Sequence, residues 1–280
     1  MLEDAAAEVR RLLDDGGSHA TRIESLSPPG RGRKTGRRAF RIVRANGTLV
    51  KARLFASADD AERLAVLRGG LDVPFLPVME RRGALLLEPW VAGEELSPAR
   101  AEARARELGA LMGRLHVAAP GEIQEHVSTR ERRERAGADL DDLADARVLP
   151  ASLLEALRRR LAEEDPGTAP AVPVHRDFCP ENVVEDPGGG LHLIDNEWLG
   201  LDAAGVDLGR THSRWPVSEA GWREFLAGYA STAPALPDAL GFWLVMMAAR
   251  SARVRLDGPA EALALPLARL REAAAGEASR

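Results

Sequence analysis

Short runs of alternating apolar and polar residues mark the first ninety positions of the chain. Phe40 and Ile42 alternate with polar residues ahead of Asn46-Gly47, a dipeptide typical of tight hairpin turns. Leucine and valine residues resume on both sides of Lys51 after that turn. The pattern predicts a β-hairpin that carries Lys51 in its second strand.

Further elements are predicted on either side of this hairpin. Residues 1–15 have the spacing of an amphipathic helix, and Ser57 with Asp60 forms a helix-starting pair ahead of a second helix that carries Glu62. Three more short apolar runs predict strands, at residues 22–26, 75–82 and 84–91. We therefore expect an N-terminal antiparallel sheet with one helix, the helix of Glu62.

The period of the apolar residues changes from about two to about 3.6 beyond a break at residues 89–93. A helix from residue 97 to residue 116 is predicted by four apolar residues on one face, Leu108, Leu111, Met112 and Leu115. Residues 151–164 predict another helix, and the apolar run 239–249 predicts a buried one. The charged segment 120–150 is expected to be irregular.

The break divides the chain into two predicted domains, an N-terminal domain of residues 1–91 and a C-terminal domain of residues 92–280. The second domain is mainly helical apart from two short apolar runs that flank the glycine-rich segment 186–190 and predict a small hairpin. The predicted class is α+β, with a sheet in the first lobe and mostly helices in the second.

Composition limits the function classes. The formal net charge of −5 argues against a nucleic-acid partner, because such partners require many neutralised phosphates. The apolar run 239–249 is too short to span a bilayer, and the N-terminus has no apolar signal core, so we expect no membrane partner.

Cys179 is the single cysteine, which excludes an internal disulfide and suits a cytoplasmic protein. The oligomeric state stays open.

Lysine is scarce. Of the 38 basic residues only Lys34 and Lys51 are lysines, and all others are arginines. A GC-rich genome explains the excess of arginine. Under that bias a retained lysine is a candidate for a site that needs a compact ammonium group, because arginine cannot replace it there.

The most informative segment is VHRDFCPENVV, residues 174–184, which is followed after a short gap by LIDNEW. A loop carboxylate such as Asp177 can accept a proton from a hydroxyl group, and an amide oxygen five residues later, on Asn182, can bind Mg²⁺. Asp195 would supply a second oxygen ligand. Lys51 could hold the phosphates of a nucleotide, with Glu62 orienting its ammonium group. These are the groups that phosphoryl transfer requires.

The ordered motifs resemble those of kinases. HRDFCPEN is similar to the catalytic loop of protein kinases, and LIDNEW takes the place of their metal-binding turn. LLLEPWVAGEEL, LGALMGRLH and VDLGR resemble instead the aminoglycoside phosphotransferase and choline kinase-like family of small-molecule kinases. The resemblance covers residues 20–250 and implies a bilobal, protein-kinase-like fold with ATP, or alternatively GTP, and Mg²⁺ as cofactors.

The same resemblance implies roles for the reacting centre. Asp177 would be the base, Asn182 and Asp195 would bind Mg²⁺, Lys51 would hold the α and β phosphates, and Glu62 would steady Lys51.

Supporting roles follow from it as well. His175 would be structural, Asp207 would brace the catalytic loop, and Glu197 would contact a second metal ion or the substrate. The adenine would meet backbone groups of the hinge, at Glu88, Trp90 and Val91.

Departures from the protein kinases favour a small acceptor. Cys179 stands where protein kinases carry a lysine, and only eleven residues separate Asp195 from Asp207, which leaves no room for a peptide-binding segment. The leading acceptor is an aminoglycoside-like antibiotic, which would imply a role in antibiotic resistance. Glu197, Asp202 and Glu219 could then face its positive charges.

Alternatives stay open. The acceptor could be an amino-alcohol, a sugar or another antibiotic, and a catalytically silent nucleotide-binding pseudokinase is a further hypothesis. The basic segment 30–38 suits either a loop over the phosphates or a nucleic-acid contact, and its position between two predicted strands favours the former.

Overall fold

Two compact units make up the protein in a computed structural model. The first contains residues 1–94 and 184–194, and the second contains residues 95–183 and 195–280. The chain therefore passes from one unit to the other three times. The structure describes residues 2–15, 17, 19–26, 38–71, 73, 78, 80–118, 125–233 and 236–276.

An antiparallel sheet forms the centre of the first unit. Its strands run in the order β1-β2-β3-β5-β4 and comprise β1 (Ala20–Ser25), β2 (Arg38–Arg44), β3 (Leu49–Leu54), β4 (Glu80–Arg82) and β5 (Leu85–Pro89). The predicted hairpin is β2–β3: Gly47 adopts a positive φ of 81° in its turn, and the Thr48 amide donates to Asn46 Oδ1 at 3.0 Å. Lys51 lies in β3, as expected.

Two helices accompany this sheet, the one predicted over residues 1–15 and the predicted helix of Glu62. Helix α1 (Leu2–Asp14) buries Ala5, Val9 and Leu13, which are four residues apart and so share one face, against the buried side chains of β2 and β3. Helix α2 (Ala58–Gly69) begins as predicted, because the Asp60 amide donates to Ser57 Oγ at 3.1 Å.

The second unit is mainly helical. Its helices are α3 (Pro98–Ala103), α4 (Ala105–Val117), α5 (Arg130–Asp145), α6 (Ala151–Glu163), α7 (Ala204–Arg214), α8 (Glu219–Ala230), α9 (Leu240–Arg253) and α10 (Glu261–Ala275). No helix in the described ranges has both the length and the apolar character needed to cross a membrane.

Two expectations for this unit need correction. The single helix predicted from residue 97 to residue 116 is interrupted at Arg104, whose ψ of 17° is not helical, and the apolar stripe continues across the interruption. The segment expected to be irregular contains α5. Its charged residues conceal a narrow stripe of Ala136, Leu140 and Leu143, which are buried at helical spacing.

Close helix packing depends on glycines. A Cβ atom at Gly109 of α4 would overlap the carbonyl of Phe225 in α8, and one at Gly228 of α8 would overlap the carbonyl of Arg106. The backbones of α4 and α8 therefore approach more closely than larger residues would allow.

Two small sheets complete the fold. In the second unit β7 (His126–Ser128), β8 (Thr168–Val174) and β11 (Gly200–Ala203) pair in the order β11-β8-β7. The predicted hairpin consists of β9 (Val183–Glu185) and β10 (Leu191–Leu193), with β6 (Glu94–Glu95) beside β9. Its turn is closed by Asp186, whose Oδ1 accepts from the amides of Gly188 and Gly190.

Candidate active site

The loop that follows β8 is held by one buried carboxylate. Asp207 Oδ2 accepts from the His175 amide at 2.7 Å, and Oδ1 accepts from the Arg176 amide at 2.6 Å. Arg176 has a positive φ of 64°, so the chain turns sharply before Asp177. The Asp177 amide then donates to His175 Nδ1 at 3.2 Å. The backbone of the loop is therefore fixed from both sides of Arg176.

Asp207 is itself surrounded by hydrogen-bond partners. It is fully buried in α7, and His116 Nε2 of α4 lies 3.3 Å from Oδ2. Burial alone raises the pKa of Asp207, but the hydrogen bond from His116 and the hydrogen bond from the His175 amide stabilise the carboxylate and hold the pKa below its usual value. His116 Nδ1 lies 2.9 Å from the hydroxyl of Tyr229, whose pKa burial raises. His116 thus connects α4 and α8 to the loop through Asp207.

Asn182 presents a free amide oxygen. Its Nδ2 donates to the Asp177 carbonyl at 2.8 Å, which orients the amide, and no residue in the described ranges donates to its Oδ1. The side chain is nearly buried, in a turn of 3₁₀ helix at Pro180–Asn182. An oriented, unpaired amide oxygen is a suitable ligand for Mg²⁺.

Asp195 stands where the chain returns to the second unit after β10. It adopts the left-handed conformation, with φ of 58° and ψ of 42°, ahead of a turn of 3₁₀ helix at Asn196–Trp198 that contains Glu197. A residue other than glycine in this conformation is uncommon and is typical of functional sites. The described residues contain no group of three or more His, Cys, Asp or Glu side chains that could hold a metal ion alone. The predicted Mg²⁺ site needs only Asn182, Asp195 and phosphate oxygens.

Two arginines missing from the sequence-based site hold the Asp177 carboxylate. Arg210 donates to Oδ1 from Nε at 3.2 Å and from Nη2 at 2.9 Å, and Arg214 donates to the same oxygen. They lie four residues apart at the end of α7 and so share one face. Within the described part of the chain nothing donates to Oδ2, which leaves this oxygen to accept a proton. The sequence signal that could have identified this pair is the four-residue spacing of its arginines in VDLGRTHSR, residues 206–214.

Lys51 in the first unit lies directly opposite Glu88 across β3 and β5. Glu88 is buried and forms an ion pair with Arg68 of α2, whose side chain is equally buried. Arg68 was also missed by the sequence reasoning, because helical spacing alone does not distinguish a buried arginine from a solvated one. The Arg68–Glu88 pair fixes α2 to the strand beside Lys51.

The other predicted residues of the first unit are placed as follows. Glu62 is on the exposed side of α2, and its carboxylate lies 3.9 Å from Arg81, so its pairing with Lys51 stays a prediction. The Trp90 amide donates to the Leu49 carbonyl at 3.4 Å and is therefore engaged within the sheet. Val91 follows β5 and is partly buried.

The model of the phosphotransferase enzyme family matches residues 36–243, well over half of the chain. The chain belongs to this family. The predicted family and the predicted class of enzyme, a phosphotransferase with a hydroxyl acceptor, are therefore confirmed. No curated protein matches the phosphotransferase in sequence.

Solved structures share the fold of this phosphotransferase. Macrolide 2'-phosphotransferase MphH from Brachybacterium faecium is 20% identical, with 98% of this chain and 97% of that chain covered and a TM-score of 0.63. The choline kinase LicA from Streptococcus pneumoniae is 16% identical, with 98% and 99% covered and a TM-score of 0.61. The aminoglycoside phosphotransferase APH(2'')-Ib is 14% identical, with 98% of each chain covered and a TM-score of 0.59. The expected kinase-like α+β fold is confirmed.

Two of the three carboxylates expected to face a cationic acceptor, Asp202 and Glu219, have basic partners in the phosphotransferase. Asp202 is buried and pairs with Arg132 at 2.5 Å and with Arg176 at 3.2 Å. Glu219 is exposed on α8, 3.6 Å from Arg223.

The lone thiol of the phosphotransferase is buried. Burial raises the pKa of Cys179 to about 12, against the nearby positive charge of Arg214, which lowers it. At neutral pH the thiol is protonated and unsuited to act as a nucleophile. Most of the basic segment 30–38 lies outside the described residues. Its two interpretations, a loop over the phosphates and a nucleic-acid contact, therefore stay predictions.

Proposed function

We propose that the protein transfers the terminal phosphoryl group of ATP to a hydroxyl group of a small molecule, with Asp177 as the base. The observation that carries the proposal is the state of the Asp177 carboxylate: Oδ1 is held by Arg210 and Arg214, whereas Oδ2 accepts from nothing in the described ranges. Oδ2 is therefore oriented and available. Neighbours in fold support a nucleotide substrate, since LicA is solved with AMP and APH(2'')-Ib with ADP. GTP in place of ATP stays open.

In the proposed reaction the acceptor oxygen attacks the γ-phosphorus of ATP. A new phosphorus–oxygen bond forms while the bond from that phosphorus to the β–γ bridging oxygen breaks, and ADP leaves. The hydroxyl proton passes to Oδ2 of Asp177. The hydrogen bonds that the loop amides donate to Asp207 hold Asp177 in place, so the Asp177 carboxylate does not have to be ordered during the reaction.

Asn182 and Asp195 would hold Mg²⁺. When bound, the ion neutralises the charge of the phosphates and helps to orient them. The free Oδ1 of Asn182 supports this assignment, as does the unusual backbone of Asp195. Titration calorimetry provides a test: ATP should bind more weakly without Mg²⁺, and Asn182→Ala should remove most of that difference. Equal affinity with and without the ion would contradict the assignment.

The roles of Lys51, Glu62 and the hinge residues complete the proposal. Lys51 would hold the α and β phosphates with Glu62 as its partner, and the adenine would contact the backbone of Glu88, the Trp90 carbonyl and Val91. His175 and Asp207 would support the loop, and Glu197 would contact a second metal ion or the acceptor.

The central test measures ADP release with ATP, Mg²⁺ and a panel of hydroxyl compounds. Asp177→Asn should lower turnover by roughly 10² or more, because the base is lost while the hydrogen-bonding shape is kept. A matched control is Asp141→Asn, since Asp141 is an exposed aspartate paired with Arg158 on the surface. Near-native turnover of the Asp177 variant would refute the role of this residue. Absence of ADP release with every acceptor from the wild type would favour the pseudokinase alternative.

An aminoglycoside-like acceptor, with a role in antibiotic resistance, is the narrower form of this proposal. It depends on free carboxylates near Asp177, yet Asp202 and Glu219 are paired with arginines. The proposed phosphoryl transfer therefore does not depend on the acceptor being cationic.

A further inference from the structure

An excess of positive charge surrounds the proposed base. Arg210 and Arg214 both donate to a single oxygen of Asp177. Each guanidinium carries a full charge, and their side chains are partly accessible, 37% for Arg210 and 29% for Arg214. One carboxylate neutralises one of them, so the pair keeps a net positive charge beside Oδ2.

Helix packing brings a third arginine to the same end of the unit. A Cβ atom at Gly205 of α7 would overlap the Trp243 ring, and one at Gly209 would overlap both the Trp243 carbonyl and the Met247 side chain. Gly209 lies four residues after Gly205, and Met247 lies four residues after Trp243. The contacts advance in the same direction along both helices, so α7 and α9 run parallel. Their C-terminal ends are therefore neighbours, with Arg214 ending α7 and Arg255 two residues after the end of α9.

Arg255 has no acidic partner within the described ranges. Its Nη1 donates to the carbonyl and to the hydroxyl of Ser251, both at 2.8 Å, and its other guanidinium nitrogens have no acceptor there. Burial lowers the pKa of Arg255, and the positive charges of Arg214 and Arg210 lower it further. An arginine in this setting gains from an anion more than from water alone.

The acidic groups near this cluster do not balance it. Asp177 is shared by Arg210 and Arg214, and Glu181 lies beside Cys179, where its charge raises the pKa of the thiol. Three arginines therefore face two carboxylates. Asp202, the buried carboxylate expected to attract a cation, is already paired with Arg132 and Arg176.

We propose that the acceptor carries, besides its hydroxyl group, an anionic group, a carboxylate or a phosphate monoester, which binds Arg255 while the hydroxyl meets Asp177. The inference rests on the proposed function and deepens it by naming the class of acceptor. A planar guanidinium suits either oxyanion, because it can donate two parallel hydrogen bonds. A cationic alcohol would meet repulsion from the same arginines.

The experiment compares alcohols of similar size and different charge by their kcat/KM in ADP release: glycerate, glycerol 3-phosphate, glycerol and choline. The wild type should favour an anionic acceptor over glycerol by roughly tenfold or more, the effect of a charged hydrogen bond. Arg255→Gln should remove that preference, and Arg255→Lys should restore part of it. Arg253→Gln is the matched control, because Arg253 is only two residues before Arg255, at the end of α9, but pairs with Asp142.

Three outcomes would overturn the inference. Preference for choline would show a cationic acceptor. A preference that Arg255→Gln leaves intact would mean that another group binds the anion. An equal loss for charged and neutral acceptors in Arg255→Gln would assign Arg255 to the transferred phosphoryl group. In each case phosphoryl transfer itself, and so the proposed function, would stand.

A binding measurement separates failure of the inference from failure of the proposed function. If no acceptor gives ADP release, glycerate and glycerol 3-phosphate are titrated by calorimetry into the protein saturated with ADP. Binding that is lost in Arg255→Gln, for one anion or for both, supports the anion site and identifies the oxyanion. Absence of binding, or binding that the variant retains, overturns it.

Discussion

Asp207 links the stability of the protein to pH. Its folded-state pKa lies below its usual value of about 3.9, so it stabilises the folded protein above that pH, and this contribution disappears as the pH falls through the folded pKa. Asp207→Asn should lower the free energy of unfolding at pH 7 by roughly 3 kcal/mol, because two loop amides and His116 lose a charged partner.

Urea denaturation at pH 7 and at pH 3.5 measures this effect. The difference between wild type and variant should shrink at the lower pH, since the Asp207 carboxylate of the unfolded wild-type chain is then partly protonated, which favours unfolding. A difference that is the same at both pH values would show that Asp207 acts by shape and not by charge.

Spacing along the chain predicted some site residues and concealed others. Asp177 and Asn182 lie in one loop, and their five-residue separation makes them candidates from the sequence alone. Arg68 reaches Glu88 only because α2 packs on β5, twenty residues further along the chain. An interaction of that kind depends on the tertiary fold, so neither composition nor periodicity reveals it.

Among the elements, the α4–α8 contact makes the clearest prediction. Gly109→Ala should destabilise the protein by roughly 2 kcal/mol, because the new methyl group would overlap the Phe225 carbonyl, a backbone atom that cannot rotate away. Gly137→Ala is the matched control: Gly137 lies in α5 with open space around it, and there alanine should stabilise by roughly 0.5–1 kcal/mol. Thermal unfolding of both variants gives the comparison. Equal effects would mean that α4 and α8 are not in close contact.

The elements differ in how far the sequence predicted them. The hairpin β2–β3 was predicted because alternation and its turn dipeptide agree. Helix α5 was not, since its sixteen residues are dominated by charges and bury only a narrow stripe. The interruption at Arg104 leaves the apolar period of α3 and α4 unchanged, so a pattern of period 3.6 cannot show it.

At the scale of the whole molecule, Cys179 can report on opening of the second unit. The thiol is buried and its pKa is raised to about 12 by burial, so reaction with a thiol reagent at pH 7–8 should require unfolding of its surroundings. We expect slow labelling of the native protein and rapid labelling of one thiol per chain in denaturant. Cys179→Ser provides the blank. Rapid labelling of the native protein would contradict the buried position.

The three passages of the chain between the units have a practical consequence. The segment 184–194 belongs to the first unit although it is encoded ninety residues after the rest of it, so a gene fragment ending at residue 94 would lack both β9 and β10. That excursion begins directly after Asn182 and Val183 and ends directly before Asp195. Residues inserted at its tip, near Gly189, would lengthen the loop without shifting either end, whereas a deletion beside Asn182 or Asp195 would displace a proposed ligand.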